Sequence, residues 1–388
     1  MEFLLCASQR DNAEPFHFKA TGIRVYSLEE ALYHVYHYWK QSADDFLSAE
    51  MADWVNGALG LSHIASRLAP LSENESFVKR VTGFLSLIDY FGEGELKALE
   101  TEITDWEKRL EWEKIKERAD YSMERGEPEK AVPLYARALR YGENPAIYNN
   151  LCVAQMRLGQ FEEAYESASK ALSLAPDDAA VILNAAEAAI YCQRFDEAKE
   201  FIKRADDDAN GPVVHGEAIF MRGLLACGQK KYSKSVEYID QAIVLNGPDR
   251  FYVFAQADVY AKMRQYDKAL SALELLPEKN ADYHIKRAEL YAASGNLSAA
   301  AKSTQKAIFL KGNDALLWVS LAMYYRMDYD LHSASGAILK ALALDPGCER
   351  AKLENARIKK GMGRTREYQS ILNDALRSFK RKYRESEA

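Results

Sequence analysis

The sequence predicts a mainly α-helical protein in which stacked pairs of helices form an elongated solenoid behind a smaller N-terminal domain. A pattern of two amphipathic helices recurs about every 34 residues from Trp112 towards the C-terminus. One such pair cannot bury its apolar side alone, so successive pairs must stack on one another. A chain of 388 residues is long enough for this array and a second domain.

Small residues keep the repeat in register over seven units. In the first helices they stand at Ala119, Cys152, Ala186, Gly223, Ala257, Ala288 and Ala322. In the second helices they stand at Ala131, Ala164, Ala198, Ser235, Ala269, Ala300 and Ala334. A further small or apolar position follows at Ala138, Ala171, Ala205, Ala242, Leu276, Ala307 and Ala341. Small side chains let helices approach closely, so these series predict the contacts within and between units.

With these series, the chain from residue 112 to 381 resembles the tetratricopeptide repeat family. The family's large residues, turn glycines and closing prolines are matched at Tyr148, Trp318 and Tyr325, at Gly126, Gly159 and Gly295, and at Pro176 and Pro346. The resemblance implies a right-handed α-solenoid, with seven units over residues 112–348. A degenerate capping unit follows over residues 349–381, and residues 382–388 form a basic and polar tail.

Residues 1–94 do not follow the repeat and are expected to form a separate, mostly helical domain. Short β-prone segments at residues 3–6, 16–18 and 23–26 predict a hairpin at its start. A helix is expected from Ser27, with Glu30 three residues later as a capping pair. His34 and His37 share one face of this helix, and a surface or interface role is expected for them.

Apolar residues from Leu96 to Leu110 recur at spacings of three and four residues, and no glycine or proline interrupts the chain before Gly126. This pattern predicts a connecting helix over residues 95–111 that continues into the first repeat. Its apolar seam needs a helical partner, either within the chain or across a homodimer.

Composition narrows the classes of function. The net charge is −7 and the pI about 5.7, so the chain as a whole has no electrostatic preference for nucleic acid. No apolar run approaches the roughly 20 residues of a membrane span. The five cysteines are scattered, as expected of free thiols in a reducing compartment. We therefore expect a cytoplasmic protein without a membrane partner, and a nucleic-acid partner is disfavoured. The basic run from Lys380 to Arg384 leaves an RNA-linked role as an alternative that rests on local charge alone. No catalytic motif, cofactor site or metal site is predicted.

In the tetratricopeptide repeat family the first helix of each unit lines a concave groove. The resemblance assigns to this groove a set of residues that we call the groove stripe: Leu183, Glu187, Tyr191, Phe220, Leu224, Phe251, Phe254, Asp258, Ile285, Glu289, Val319 and Met323. Apolar side chains with single carboxylates suit a peptide or helix that carries apolar anchors and some Lys or Arg. Alternatively, some of these residues are packing residues between repeats.

One loop matches the pattern of a calcium-binding EF-hand. Asp206, Asp208, Asn210 and Glu217 stand at the spacing of its ligands. A solenoid packs the flanking helices nearly antiparallel, whereas an EF-hand splays them, so a solvated acidic loop is the preferred interpretation. The sequence leaves calcium binding open.

The pattern therefore indicates a non-enzymatic scaffold or adaptor that binds a peptide or helix in the groove. An alternative comes from layout alone. A small helical domain before about seven repeats is similar to the bacterial Rap regulators, in which a bound peptide moves an N-terminal domain that acts on a signalling protein.

Overall fold

The computed structural model describes residues 14–72, 76–206, 211–312 and 314–374. The described chain is helical apart from a two-stranded sheet near its N-terminus. It divides into two compact units, Met1–Ala175 and Pro176–Ala388. Within the described residues, no helix combines the length and apolar character that a bilayer crossing requires.

The N-terminal elements are a hairpin and five helices. Strands β1 (Phe16–Phe18) and β2 (Ile23–Val25) pair antiparallel with Phe16 opposite Val25, which confirms that part of the predicted hairpin. The predicted strand at residues 3–6 lies outside the described residues. The helices are α1 (Leu28–Phe46), α2 (Ala49–Gly57), α3 (Ser62–Ser72), α4 (Phe77–Leu85) and α5 (Glu93–Glu107). Ser27 Oγ accepts the Glu30 N–H at 3.2 Å and so begins α1 as predicted.

Large side chains fill the core of this region. The Phe46 and Phe84 rings lie 5.0 Å apart, and Trp39 meets Trp106 edge-on at 5.2 Å. His34 is 3% exposed, so the expected surface role for this residue was wrong. Its Nε2 lies 3.0 Å from Thr21 Oγ1 and 3.1 Å from Ser42 Oγ, because the Phe18 ring and the inner face of α1 enclose the imidazole.

The predicted continuous helix over residues 95–111 was also wrong. Helix α5 ends at Glu107, and α6 (Glu111–Glu124) begins after a break. Leu110 takes an extended conformation with ψ 147°, and Glu113 Oε2 accepts its N–H at 3.1 Å. This cap satisfies a backbone donor that a continuous helix would have bonded itself. Leu110 is 60% exposed and takes no part in the expected seam.

The first two repeats belong to the same compact unit as the N-terminal elements, so that unit does not end at residue 94 as the predicted domain did. Lys40 Nζ lies 3.0 Å from Glu117 Oε1, and Trp106 Nε1 donates to Glu117 Oε2 at 3.1 Å. Arg118 pairs with Asp44 at 3.2 Å. These contacts join α1 and α5 to α6, which is the first helix of the repeat array.

Helix pairs then follow in the predicted order. The first unit holds α6 with α7 (Pro128–Ala138), and α8 (Pro145–Arg157) with α9 (Phe161–Leu174). The second unit holds the remaining pairs: α10 (Ala179–Tyr191) with α11 (Phe195–Ala205), α12 (Gly211–Gly228) with α13 (Tyr232–Asn246), α14 (Arg250–Lys262) with α15 (Tyr266–Leu273), α16 (Ala281–Ala293) with α17 (Leu297–Lys311), and α18 (Ala315–Met327) with α19 (Leu331–Leu344). Helix α20 (Glu349–Gly361) and helical residues 365–374 lie within the predicted capping unit, whose capping role stays a prediction. Residues 375–381 of that unit and the tail at 382–388 lie outside the described residues.

The small-residue series are buried, as the sequence predicts. All seven second-helix positions from Ala131 to Ala334 are 0% exposed. At Gly223 the helices approach closely, since an added Cβ would lie 2.8 Å from Ile239 Cγ1. The Ser235 hydroxyl also donates to the Gly223 carbonyl at 2.7 Å. Leu276 departs from its series because α15 ends at Leu273, before reaching it.

The turn within each helix pair contains one residue in the left-handed region. Glycine occupies that position at Gly126, Gly159, Gly295 and Gly363. The other four pairs place Gln193, Lys230, Arg264 and Tyr329 there, each with φ near +60°. Side chains other than glycine are disfavoured in this conformation, so these four turns carry backbone strain that the glycine turns avoid.

Candidate functional site

The groove stripe lies on the first helices of the second unit. Helix α10 carries Leu183, Glu187 and Tyr191; α12 carries Phe220 and Leu224; α14 carries Phe251, Phe254 and Asp258; α16 carries Ile285 and Glu289; α18 carries Val319 and Met323. Their spacings of three and four residues keep the members of each helix on one side.

Three stripe residues meet around a cavity. Tyr191, Leu224 and Asp258 line a space of about 320 Å³, together with Cys227 and Lys262. The walls come mainly from the first helices α10, α12 and α14, with Gln193 and Phe195 added from the turn and the start of α11. Its lining is mostly apolar with a few polar groups, a composition typical of a binding pocket.

Glu187 is the half-buried carboxylate beside this cavity. Burial raises its pKa, and a side-chain hydrogen bond from Tyr191 acts in the opposite direction. Burial also raises the pKa of Tyr191 to about 12, with the negative charges of Glu187 and Asp258 adding to the effect. Among the described residues, no ion pair includes Glu187. Its charge is therefore stabilised by one phenol and by no cation.

Asp258 differs from Glu187 because a lysine neutralises it. Lys286 Nζ lies 2.6 Å from Asp258 Oδ1 and 3.6 Å from Glu289 Oε2. The same ammonium group is 5.7 Å from the Phe254 ring centre, and its side chain is only 14% exposed. The sequence interpretation missed Lys286, although its position three residues before Glu289 on α16 is the spacing of a helical ion pair.

Glu289 extends the same electrostatic environment towards α18. Burial raises its pKa, while Lys286 partly offsets this effect. The Glu289 charge in turn adds to the burial that raises the pKa of Tyr324 on α18. Lys262 contributes a second cation, with Nζ 3.4 Å from Cys227 Sγ. The stripe is therefore of mixed charge, and Glu187 is its one carboxylate that no ion pair of the described residues includes.

Two stripe residues are buried and do not form an accessible surface. Leu183 is 4% exposed and Phe220 is 8% exposed. Phe220 packs against Tyr252, with ring centres 4.6 Å apart, because α12 and α14 approach closely at this point. Their burial is what the alternative of packing between repeats predicts, and a role of either residue in the groove stays a prediction.

The remaining stripe residues are accessible to different degrees. Phe251 is 59% exposed at the start of α14, and Ile285 is half-buried on α16. Val319 and Met323 pack partly against the core of the last repeats. None of these four lines the cavity beside Tyr191.

The EF-hand pattern falls partly outside the described residues, which include neither Asp208 nor Asn210. Asp206 accepts hydrogen bonds from Arg222 and interacts with His215, so its carboxylate is already engaged. Glu217 lies on α12, where burial raises its pKa. In the described part of the chain, no group of three or more His, Cys, Asp or Glu side chains is arranged to hold a metal ion.

Comparison with known proteins places the repeats in a family context. Models described as "Tetratricopeptide repeat" match residues 116–179 and 159–216. Human protein O-mannosyl-transferase TMTC3 is 26% identical over 238 residues, which are 59% of this chain and 26% of that protein. The chain thus spans about a quarter of the length of this curated relative.

Solved structures show similarity of the same kind. A tetratricopeptide repeat protein from Parabacteroides merdae is 21% identical, with a TM-score of 0.41, over 64% of this chain and 98% of that chain. A thermophilic TPR protein of Thermus thermophilus is 19% identical, with a TM-score of 0.37, over 55% of this chain and 98% of that chain.

Proposed function

This chain is a tetratricopeptide repeat protein, and we propose that it acts as a non-enzymatic scaffold or adaptor that binds a segment of another protein. Tetratricopeptide repeats support protein–protein interaction in general. For this chain we also propose where the segment binds and which of its side chains make the contacts. A peptide or helix lies along α10, α12 and α14, with an apolar anchor in the cavity beside Tyr191 and Leu224 and a basic side chain at Glu187.

The proposal rests on the environment of the Glu187 carboxylate. A half-buried carboxylate with a raised pKa and no cation among the described residues has its charge poorly compensated. A Lys or Arg from a guest polypeptide would supply the missing charge in a partly desolvated place, where such a pair is stronger than on an open surface. The neighbouring cavity adds apolar contact area, which would provide most of the affinity.

The curated relative does not extend the proposal to catalysis. Its printed name describes a transferase, but the match covers only 26% of that protein. Cytoplasmic location and the Rap-like regulator both remain predictions. A regulator of that type would also bind a peptide in the repeats, so the experiment below applies to it as well.

The test is a capture experiment with full-length chain from its native cell, followed by titration of a peptide from the captured partner. We expect Glu187→Gln to weaken peptide binding about tenfold, since one charge-assisted contact is lost. Glu200→Gln, which removes an exposed carboxylate on α11, should leave affinity unchanged. If Glu187→Gln and Glu200→Gln both bind the peptide with the affinity of the wild type, the proposed site is wrong.

The same substitution should act on stability in the opposite direction. A carboxyl group whose folded pKa is raised favours the folded state below its ordinary pKa of 4.5, and that contribution is lost as pH rises. Glu187→Gln should therefore melt at a higher temperature than the wild type at pH 7. The difference should shrink as pH falls towards 4.5. A Tm difference that is independent of pH would show that burial does not destabilise the charged form of Glu187.

A further inference from the structure

The second helix of the sixth repeat presents a cationic surface that is distinct from the groove stripe. Helix α17 places Lys302, Gln305, Lys306, Phe309 and Leu310 at spacings of three and four residues, and hence on one face. We call Lys302, Lys306, Phe309 and Leu310 the α17 face. Together with Lys279 and His284, it lines a cavity of about 540 Å³.

The charges of the α17 face are not neutralised within the described chain. Lys302 and Lys306 are exposed, and no ion pair of the described residues includes either of them. Like charges one helical turn apart repel each other and destabilise a helix. Lys279, by contrast, is paired with Glu274. The uncompensated positive charge therefore belongs to the two α17 lysines.

His284 supplies an independent observation at the wall of the same cavity. The residue is 9% exposed, and its Nδ1 has no hydrogen-bond partner in the part of the chain that the structure describes. Burial lowers the pKa of the imidazole, and the nearby charges of Lys306, Arg287 and Lys279 lower it further. The neutral ring adds no positive charge to the cavity wall, and its buried Nδ1 is left unsatisfied, which native proteins seldom tolerate without a reason.

Apolar surface adjoins these cations. Phe309 is 88% exposed and Leu310 is 51% exposed. A second cavity of about 500 Å³ also has Gln305 and Phe309 in its wall and includes Trp318 and Lys340. The Lys340 ammonium lies 4.5 Å from the Trp318 ring centre. Phe309 thus stands between two cavities, each with a lysine in its wall.

We propose that the α17 face binds an acidic segment of a partner protein that carries an aliphatic or aromatic anchor. Carboxylates of the segment would pair with Lys302 and Lys306, and the anchor would pack on Phe309 and Leu310. Charge complementarity supports this occupant, because Lys302 and Lys306 are exposed and no ion pair of the described residues includes either of them. Electrostatic attraction would speed the encounter, and burial of the anchor would slow dissociation.

A displayed library of random peptides tests the proposal on the full chain. One pool is selected on the wild type and a second on the Lys302→Glu, Lys306→Glu variant. We expect the peptides retained only by the wild type to be enriched in Asp and Glu around an apolar residue. Those peptides should bind the double variant at least about tenfold more weakly, as two ion pairs are replaced by repulsion. Two pools of the same composition would overturn the proposal.

Matched variants separate this surface from general effects of charge and folding. Lys199→Glu with Lys203→Glu makes the same change at exposed lysines one turn apart on α11 and should leave the acidic peptides bound. Phe309→Ser should weaken them, whereas Val244→Ser, at an 83% exposed position on α13, should not. The proposal is wrong if the wild type self-associates, the α17 variants do not, and no acidic peptides are captured. The α17 face would then bind a second copy of this chain. Glu187→Gln should leave this binding intact, so failure of the groove proposal is distinguishable.

Discussion

The N-terminal region, residues 14–107, and the helical repeats achieve burial in different ways. The N-terminal core joins large rings from distant parts of the chain, such as Phe46 and Phe84. The repeats instead place residues such as Ala164 and Ala300, both 0% exposed, where neighbouring helices meet. Large rings fill an irregular space, whereas small residues set a constant helix separation. The N-terminal core is therefore expected to respond most to lost volume, and the repeats to added volume.

Loss of a core ring should give the largest effect. Phe84→Ala is expected to destabilise the N-terminal region by about 3–5 kcal/mol, because the cavity that it leaves cannot collapse fully. Urea unfolding followed by tryptophan fluorescence in a Trp318→Phe background would report on the tryptophans of the first unit alone. Phe309→Ala, at an 88% exposed ring, is the control and should cost less than about 0.5 kcal/mol. If Phe84→Ala and Phe309→Ala lower the free energy of unfolding equally, the expected sensitivity of the N-terminal core to lost volume is wrong.

Acid should act on the N-terminal core through His34. Burial, with the charges of Arg125 and His37, lowers the pKa of His34 from 6.5 to about 4. The stability that depends on the neutral ring is present above pH 6.5 and is lost as pH falls towards 4. The loss is expected to be roughly 2 kcal/mol, allowing for partial solvent screening.

Urea midpoints measured between pH 7 and pH 4.5 would check this dependence. His34→Gln should flatten the slope. His37→Gln, at an exposed position on the same helix, should retain most of it, because burial is the largest cause of the His34 shift. If His34→Gln loses stability with acid as steeply as the wild type, the buried imidazole is not the responsible group.

Added volume should act on the repeats. Ala300→Leu is expected to cost about 1–3 kcal/mol, because the larger side chain forces apart two helices that meet at a fully buried position. Ser298→Leu, on the exposed side of the same helix, should be nearly neutral. Thermal unfolding of the two variants and the wild type, followed by far-UV circular dichroism, would measure the change. A neutral Ala300→Leu would show that the repeats tolerate a wider helix separation than the structure indicates.

The smallest expected effect concerns the strained turns. Lys230→Gly should stabilise the fourth repeat by about 0.5–1 kcal/mol, because glycine adopts φ +60° without the cost that lysine bears. The adjacent Lys231 has φ −90°, so Lys231→Gly should destabilise through backbone entropy alone. Chemical denaturation of the two variants side by side gives the sign of each effect. If Lys230→Gly and Lys231→Gly are both stabilised, or both destabilised, the conformational explanation is wrong.

The repeats could be predicted from the sequence because their contacts recur at a fixed distance along the chain. Ala131 and its equivalents show the period, and the period alone specifies which helices touch. The turn position was recognisable where it is glycine, as at Gly159. At Gln193 and Lys230 the chain adopts the same conformation without the residue that signals it, since packing of the flanking helices imposes the turn.

The errors share a physical origin in contacts between distant residues. The break before α6 has no glycine or proline, and its N-terminal cap depends on one carboxylate, that of Glu113. Phe220 belongs to the groove stripe by spacing, but it is 8% exposed and packs against Tyr252. Lys286 neutralises Asp258 on the preceding repeat, a pairing that becomes visible only once α14 and α16 stand side by side. Spacing indicates the face on which a residue lies, whereas accessibility depends on its neighbours.

Cys227 gives the cavity beside Tyr191 a chemical reporter of its own. Its sulfur lines that space and lies within reach of the Lys262 ammonium group, whereas Cys152 is fully buried. In a chain whose other thiols have been changed to serine, the speed of alkylation at this one sulfur would follow whether the cavity is filled. Occupancy could then be followed in a crude extract, with no dye attached to the guest and before the guest has been identified.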